Sequence, residues 1–181
     1  MPPVCQRPDA AAVSGSSRHL DNGRSVVRIR VLAICVFRND RRILVARGYD
    51  AAKLQYFLRP IGGEVEFGES SSDALAREVR EELGLELQSA TRLGVLENVF
   101  SYEGKPGHEV VFVYDARFTD PSVYVRDELP LNEDVWDGAA RWIDLDALPA
   151  DPIYPEGLLE LLGQAGAGAN PATESGQEAP S

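Results

Sequence analysis

Hydrophobic and polar positions first alternate at residues 27–31, where Val27, Ile29 and Val31 interleave with Arg28 and Arg30. A period of two predicts a half-buried strand. The apolar run Val31–Phe37 carries that strand into the interior. Asn39-Asp40 reads as a turn, and Ile43-Leu44-Val45 as the returning strand of a hairpin. Residues 48–55 read as a loop, and Tyr56-Phe57-Leu58 as a short strand. The alternation returns from Leu93 to Tyr102. Leu96, Asn98, Phe100 and Tyr102 share one face there, and Val95, Glu97 and Val99 the other. A turn at Glu103–Gly107 leads to an antiparallel strand, His108–Phe118, with Glu109 on the face of Val111, Val113 and Asp115. Glu97 and Glu109 each read as an edge-strand surface acid, or as an extra ligand or base if partly buried. His108 reads as polar surface. Residues 119–137 form a long acidic loop with Asp127, Glu128, Glu133 and Asp134. Loops of that length are often functional. Ala140–Ile143 is the last strand, and Tyr154–Leu162 a helix with Leu158, Leu159, Leu161 and Leu162 as its apolar side.

Between these strands the period changes. From Ser70 to Gly84 the pattern is helical, with Ser70 as N-cap, Asp73 three residues on, and Gly84 as the stop. At about 100° per residue, Leu75, Ala76, Val79 and Leu83 form an apolar stripe. Asp73, Arg77 and Arg80 fall on a second side, and Glu78, Glu81 and Glu82 on a third. Like charges at that spacing cost roughly 0.2–0.5 kcal/mol per pair. Glu81 and Glu82 also lie in the last turn, where the helix dipole disfavours acids. The trio is thus unfavourable unless a cation joins it, and converging carboxylates suit Mg²⁺ or Mn²⁺. By themselves the three glutamates also read as a solvated helix face.

Composition narrows the class. At 181 residues with 44% hydrophobic content, the chain suits one domain with a real core. A net charge of −11 disfavours a nucleic-acid polymer or an anionic membrane as partner. The longest apolar run, seven residues, is far short of the roughly 20 that span a bilayer. Cys5 and Cys35 give no disulfide framework; Cys35 lies in an apolar run and reads as buried. These features point to the cytoplasm. Residues 1–24, which include His19, and residues 164–181 lack apolar periodicity and read as a disordered leader and tail, leaving 25–163 as the domain.

One stretch is more specific than the rest. Gly63–Leu85 reads G-x5-E-x7-R-E-V-x-E-E-x-G-L through Gly63, Glu69, Arg77, Glu78, Val79, Glu81, Glu82, Gly84 and Leu85. It resembles the signature box of the Nudix hydrolase family at every defined position. The resemblance implies an α/β fold, an α/β/α sandwich on a mixed sheet with the box as loop–helix–loop. It implies Mg²⁺- or Mn²⁺-dependent hydrolysis of a phosphoanhydride in a nucleoside diphosphate linked to another moiety. Carried over, Glu78, Glu81 and Glu82 match the metal ligands, and Glu81 and Glu82 are the box candidates for catalysis. Glu69 and Arg77 match a salt bridge that braces the loop, with Gly63 and Gly84 as structural glycines. The family also places proline directly before its glycine pair; here Ile61 stands there and Pro60 one residue earlier. The Gly62 carbonyl matches a metal ligand in some members. Arg59, just before the loop, is a candidate for gripping a phosphate, or a partner in a surface ion pair. The partner implied is a small-molecule nucleoside diphosphate derivative, and a homodimer stays open. The competing reading is a non-catalytic Nudix-like module that binds a nucleotide or regulates a partner.

Overall fold

A computed structural model describes residues 28–132 and 138–168. The proposed leader with Cys5 and His19, Val27 of the first strand, Glu133, Asp134 and residues 169–181 lie outside the described residues.

Eight strands and two helices make up the described chain: β1 Arg30–Asn39, β2 Arg42–Asp50, β3 Gln55–Arg59, β4 Ile61–Glu64, α1 Ser71–Leu83, β5 Leu87–Tyr102, β6 Lys105–Phe118, β7 Glu128–Pro130, β8 Ala139–Asp144 and α2 Leu158–Gly168. The sheet is mixed. β1 runs parallel to β6 and antiparallel to β4, while β5 lies antiparallel outside β6. β2 carries β3 on one edge and β8, then β7, on the other. Among the described residues, the two groups of strands pair only at the β1–β2 hairpin, Arg38↔Ile43 and Asn39↔Arg42.

Alternation along β1 creates two cores. Ala33, Cys35 and Phe37 join Ala74, Leu75, Val79 and Leu83 of α1 on one face. Leu32, Ile34 and Val36 join Leu158 and Leu162 of α2 on the other. An amphipathic helix on each face of the sheet is the sandwich expected.

Several elements differ from the pattern reading. β2 continues to Asp50, and the tip is only residues 51–54. β5 begins at Leu87, six residues early, because Ser89–Arg92 is an exposed edge without apolar alternation. The β5–β6 turn is two residues, Glu103 and Gly104, both left-handed at φ 50° and 73°. That turn suits the strands' twist, so pairing resumes at Tyr102↔Lys105. β4 and β7 were not anticipated. In β4 a glycine pair hides the strand signal, yet Ile61 is buried opposite Cys35. α2 starts at Leu158, not Tyr154, and runs to Gly168, five residues into the segment read as tail. No helix among the described residues is long and apolar enough to cross a membrane.

Candidate functional site

The site begins with the glycine pair in β4. Gly62 has φ +134°, and a Cβ there would stand 2.2 Å from the Ala33 carbonyl oxygen of β1. Only glycine fits that backbone. At Gly63 a Cβ would stand 2.4–2.5 Å from the carboxyl group of Glu78. The missing side chain is the space in which the Glu78 carboxylate lies.

The helix forms where expected. Ser70 Oγ accepts the Asp73 N–H at 3.2 Å. The reciprocal half of the capping box differs: Ser70 Oγ–H donates to Asp73 Oδ2 at 2.6 Å. Gly84 is left-handed at φ 65°, and its N–H reaches the Arg80 carbonyl.

Arg77 is the hub. Its guanidinium donates to both oxygens of Glu69 at 3.0 Å, a two-pronged pair. It also donates to the Glu64 carbonyl at 2.9 Å, Glu78 Oε1 at 2.8 Å and Glu81 Oε2 at 3.1 Å. The hydrogen bonds to Glu69 hold the Arg77 pKa further above its already high value, against the opposing effect of burial. The same bonds hold the Glu69 carboxyl below the usual range. The salt bridge between Glu69 and Arg77 is therefore present, and the same guanidinium also pairs with Glu78 and Glu81 of the helix. The wheel had put Arg77 on a different side from the glutamates; the length of its side chain lets it reach around.

Glu78, Glu81 and Glu82 differ in burial. Glu81 is exposed, Glu78 is half-buried and Glu82 is 6% exposed. Glu82 falls in the buried stripe with Leu75 and Val79, and Ala74 takes the core place given to Ala76. The Gly62 N–H donates to Glu82 Oε2 at 3.2 Å. Beneath lies Cys35, fully buried as expected; burial first, and the Glu82 charge second, push its thiol pKa up. Among the described residues, no three of His, Cys, Asp and Glu converge as a metal cluster.

Arg59, at the end of β3, donates to the Gly62 carbonyl at 3.4 Å. It therefore stands at the box glycines, on the same carbonyl that the resemblance gives to a metal. Glu97 is exposed and pairs with the His108 ring at 2.8 Å. Glu109 is buried, 6% exposed, and ion-paired with Arg30.

The acidic loop is partly ordered into structure that sequence reasoning missed. Asp120 caps a 3₁₀ turn at Pro121–Val125. Glu128 pairs with Arg141 at 3.2 Å. Asn132 N–H donates to the Glu82 carbonyl at 2.7 Å, and its side-chain amide donates to the Glu81 carbonyl at 3.0 Å. The loop thus caps the last turn of the helix from which those glutamates project, a role with no local signal.

A NUDIX domain family model matches residues 27–161. The chain belongs to the NUDIX family. The structure is similar to a MutT NUDIX hydrolase from Burkholderia pseudomallei, at 29% identity and TM-score 0.58, covering 76% of this chain and 98% of that one. It shares its fold with the E. coli ORF135 protein, at 22% identity and TM-score 0.56, covering 81% and 96%. The same holds for a NUDIX hydrolase from Nitrosomonas europaea, at 20% and 0.55, covering 78% and 90%. As a member of the family, the chain is a Nudix pyrophosphohydrolase.

Proposed function

We propose that this Nudix enzyme hydrolyses a phosphoanhydride in a nucleoside diphosphate linked to another moiety, with Mg²⁺ or Mn²⁺ as cofactor. The observation that carries the reading is the charge imbalance around Arg77. Three carboxylates, Glu69, Glu78 and Glu81, meet one guanidinium. A fourth, Glu82, is buried beside Gly62. The donor set fits a hard divalent ion: oxygen only, net negative, with the Glu78 carboxylate seated where a Cβ at Gly63 would be. Glu78, Glu81 and Glu82 would hold it. A bound divalent ion supplies charge neutralisation for the diphosphate and acidifies an attacking water.

The chain's own residues do the rest. Glu81 and Glu82 are the carboxylates positioned to take a proton from water. Arg77, through Glu69 and the Glu64 carbonyl, fixes the loop against the helix. Arg59 would turn from the Gly62 carbonyl to grip a phosphate. The substrate is a free small molecule, since a net charge of −11 disfavours a polyanion or an anionic bilayer, and the enzyme acts in the cytoplasm. The test is a panel of substituted nucleoside diphosphates, dinucleoside polyphosphates, nucleoside triphosphates and phosphomonoesters, each with Mg²⁺, Mn²⁺ or EDTA. Cleavage of phosphoanhydrides alone, abolished by EDTA, is expected, with ¹⁸O-water marking the phosphorus attacked. If no phosphoanhydride is cut while a nucleotide still binds, the chain is a binding module instead.

A further inference from the structure

Helix ends leave their last carbonyls without an intrahelical partner. At the end of α1 these include the carbonyls of Glu81 and Glu82, the two residues whose side chains the proposed reaction uses. The Gly84 N–H takes the Arg80 carbonyl at 2.9 Å. The next two carbonyls go to one residue from another part of the chain. The Asn132 N–H donates to the Glu82 carbonyl at 2.7 Å. Its side-chain Nδ2 donates to the Glu81 carbonyl at 3.0 Å, across 51 positions of sequence.

Asn132 is itself anchored away from the helix. β7 pairs with β8 through Leu129↔Ala140 and Pro130↔Ala139. Leu129 is 1% exposed in the core that α1 covers, and Leu131 packs against the same core. The Leu131 N–H donates to the Gly138 carbonyl at 3.0 Å. The amide is therefore presented by a strand, a buried leucine and a backbone bracket, not by the helix it grips. An amide suits the place where a carboxylate would not. A carboxylate has no N–H to donate, and it would add negative charge where the helix dipole and three glutamates already supply it.

The side chains that depend on this turn are closely placed. Glu82, 6% exposed, accepts the Gly62 N–H at 3.2 Å, and Glu81 accepts from Arg77 at 3.1 Å. Both lie at the end of the helix, where fraying starts. Glu78 lies further in, with its carboxyl in the space left by Gly63. Loosening the last turn would move two of the three glutamates and leave the third in place. We propose that Asn132 is a positioning residue of the hydrolytic site: by holding the main chain of Glu81 and Glu82, it sets where their carboxylates stand. It acts through them and needs no contact with metal or substrate. This rests on the phosphoanhydride reading above and concerns what fixes the geometry of that site.

The experiment uses the full chain and its Asn132→Ala and Asn132→Asp variants. Asp50→Ala, which removes the acceptor of three N–H groups at the hairpin tips, controls for a general loss of stability. Steady-state constants are measured well below every melting transition, on the best phosphoanhydride substrate at saturating Mg²⁺. Affinity for Mn²⁺ alone is measured by calorimetry. Asn132→Ala should lower kcat about tenfold, the scale of a misplaced catalytic group, with KM within about twofold of the wild type. Its Mn²⁺ dissociation constant should rise about tenfold, as when other outer partners of metal ligands are lost. Asn132→Asp should lose more than Asn132→Ala on both counts. Asp50→Ala should keep kcat and Mn²⁺ affinity even though it melts lower. Wild-type kcat and Mn²⁺ affinity in Asn132→Ala, or losses no larger than those of Asp50→Ala, would overturn the proposal. If the wild-type protein cuts no phosphoanhydride, the functional reading fails by itself. Calorimetry then decides the role of Asn132: weaker Mn²⁺ binding in Asn132→Ala upholds it, and equal or absent binding overturns it.

Discussion

Two charged centres lie in this molecule, and they are balanced differently. At the tips of two hairpins, one buried carboxylate, Asp50, collects many donors. The N–H groups of Ala52, Lys53 and Glu103 reach it at 3.0–3.2 Å, and the Lys53 ammonium lies 3.4 Å away. Lys53 also donates to the Ser101 carbonyl, so the β2–β3 tip is clasped to the β5–β6 tip. Around Arg77 the ratio is reversed, with one cation serving three carboxylates and a carbonyl. The clasp gathers its N–H donors on Asp50 Oδ1, sets the Lys53 ammonium beside Oδ2 and holds two turns together. The hub gathers more carboxylates than guanidinium groups, the imbalance on which the proposed metal site rests. Burial of an acid therefore does not mark function; the balance of donors around it does.

The hub should respond first and most strongly. Glu82→Gln keeps the shape and removes the charge. Turnover should fall by a factor on the order of 10²–10³, the scale of losing one electrostatic group in a site. The melting temperature without metal should hold or rise, because the repulsion is gone. Near-normal turnover would remove Glu82 from the machinery.

Gly63→Ala should come next. The atoms nearest the new Cβ are those of the Glu78 carboxyl, the far end of a flexible side chain. The protein should fold with a small loss of stability while activity falls by about tenfold or more, at the scale of a misplaced catalytic group. Higher Mg²⁺ should recover part of it. Unchanged activity would mean that the position of Glu78 is irrelevant. Gly62→Ala meets backbone and should fail as a folding mutant instead.

Much of the hub was legible because it is local. Ser70, Gly84 and the Glu69–Arg77 pair all act within one loop and one helix, at spacings that periodicity reports. What the chain pattern hid depends on partners far along it. The helical wheel put Glu82 with its exposed neighbours, and only packing against β1 and β4 buries it. Glu97 and Glu109 read alike as strand acids. Alternation assigns them to faces without saying which face is covered, so one emerges beside His108 and the other beneath Arg30. Asn132 and the β4 pairing are long-range contacts of the same kind.

The clasp should behave oppositely to the hub. Asp50→Ala removes the acceptor shared by both hairpin tips. The melting temperature should drop by about 5 °C. Metal affinity and turnover below the transition should change little. A variant that melts normally but loses metal binding would show that clasp and hub are one system.

Acid should expose the smallest difference. The hydrogen bonds from Arg77 hold the Glu69 carboxyl below its ordinary value of 4.5. Burial pushes Asp50 up, but the N–H groups of Lys53, Glu103 and Ala52 and the Lys53 ammonium outweigh it, so it too lies below its ordinary 3.8. A carboxyl with a depressed folded pKa contributes stability that is fully present above its unfolded pKa. That contribution is lost as pH falls through the folded value, because the unfolded chain binds the proton first. Stability should therefore be flat with respect to these two groups above about pH 5 and decline below it. Glu69→Gln should flatten part of that decline and Asp50→Asn another part. The two changes should add, since the centres share no partner. Urea midpoints between pH 3 and 7 in metal-free buffer give the comparison directly. An acid limb as steep in Glu69→Gln as in the wild type would show that Arg77 does not depend on Glu69, and the brace would have to be sought in Glu78 and Glu81.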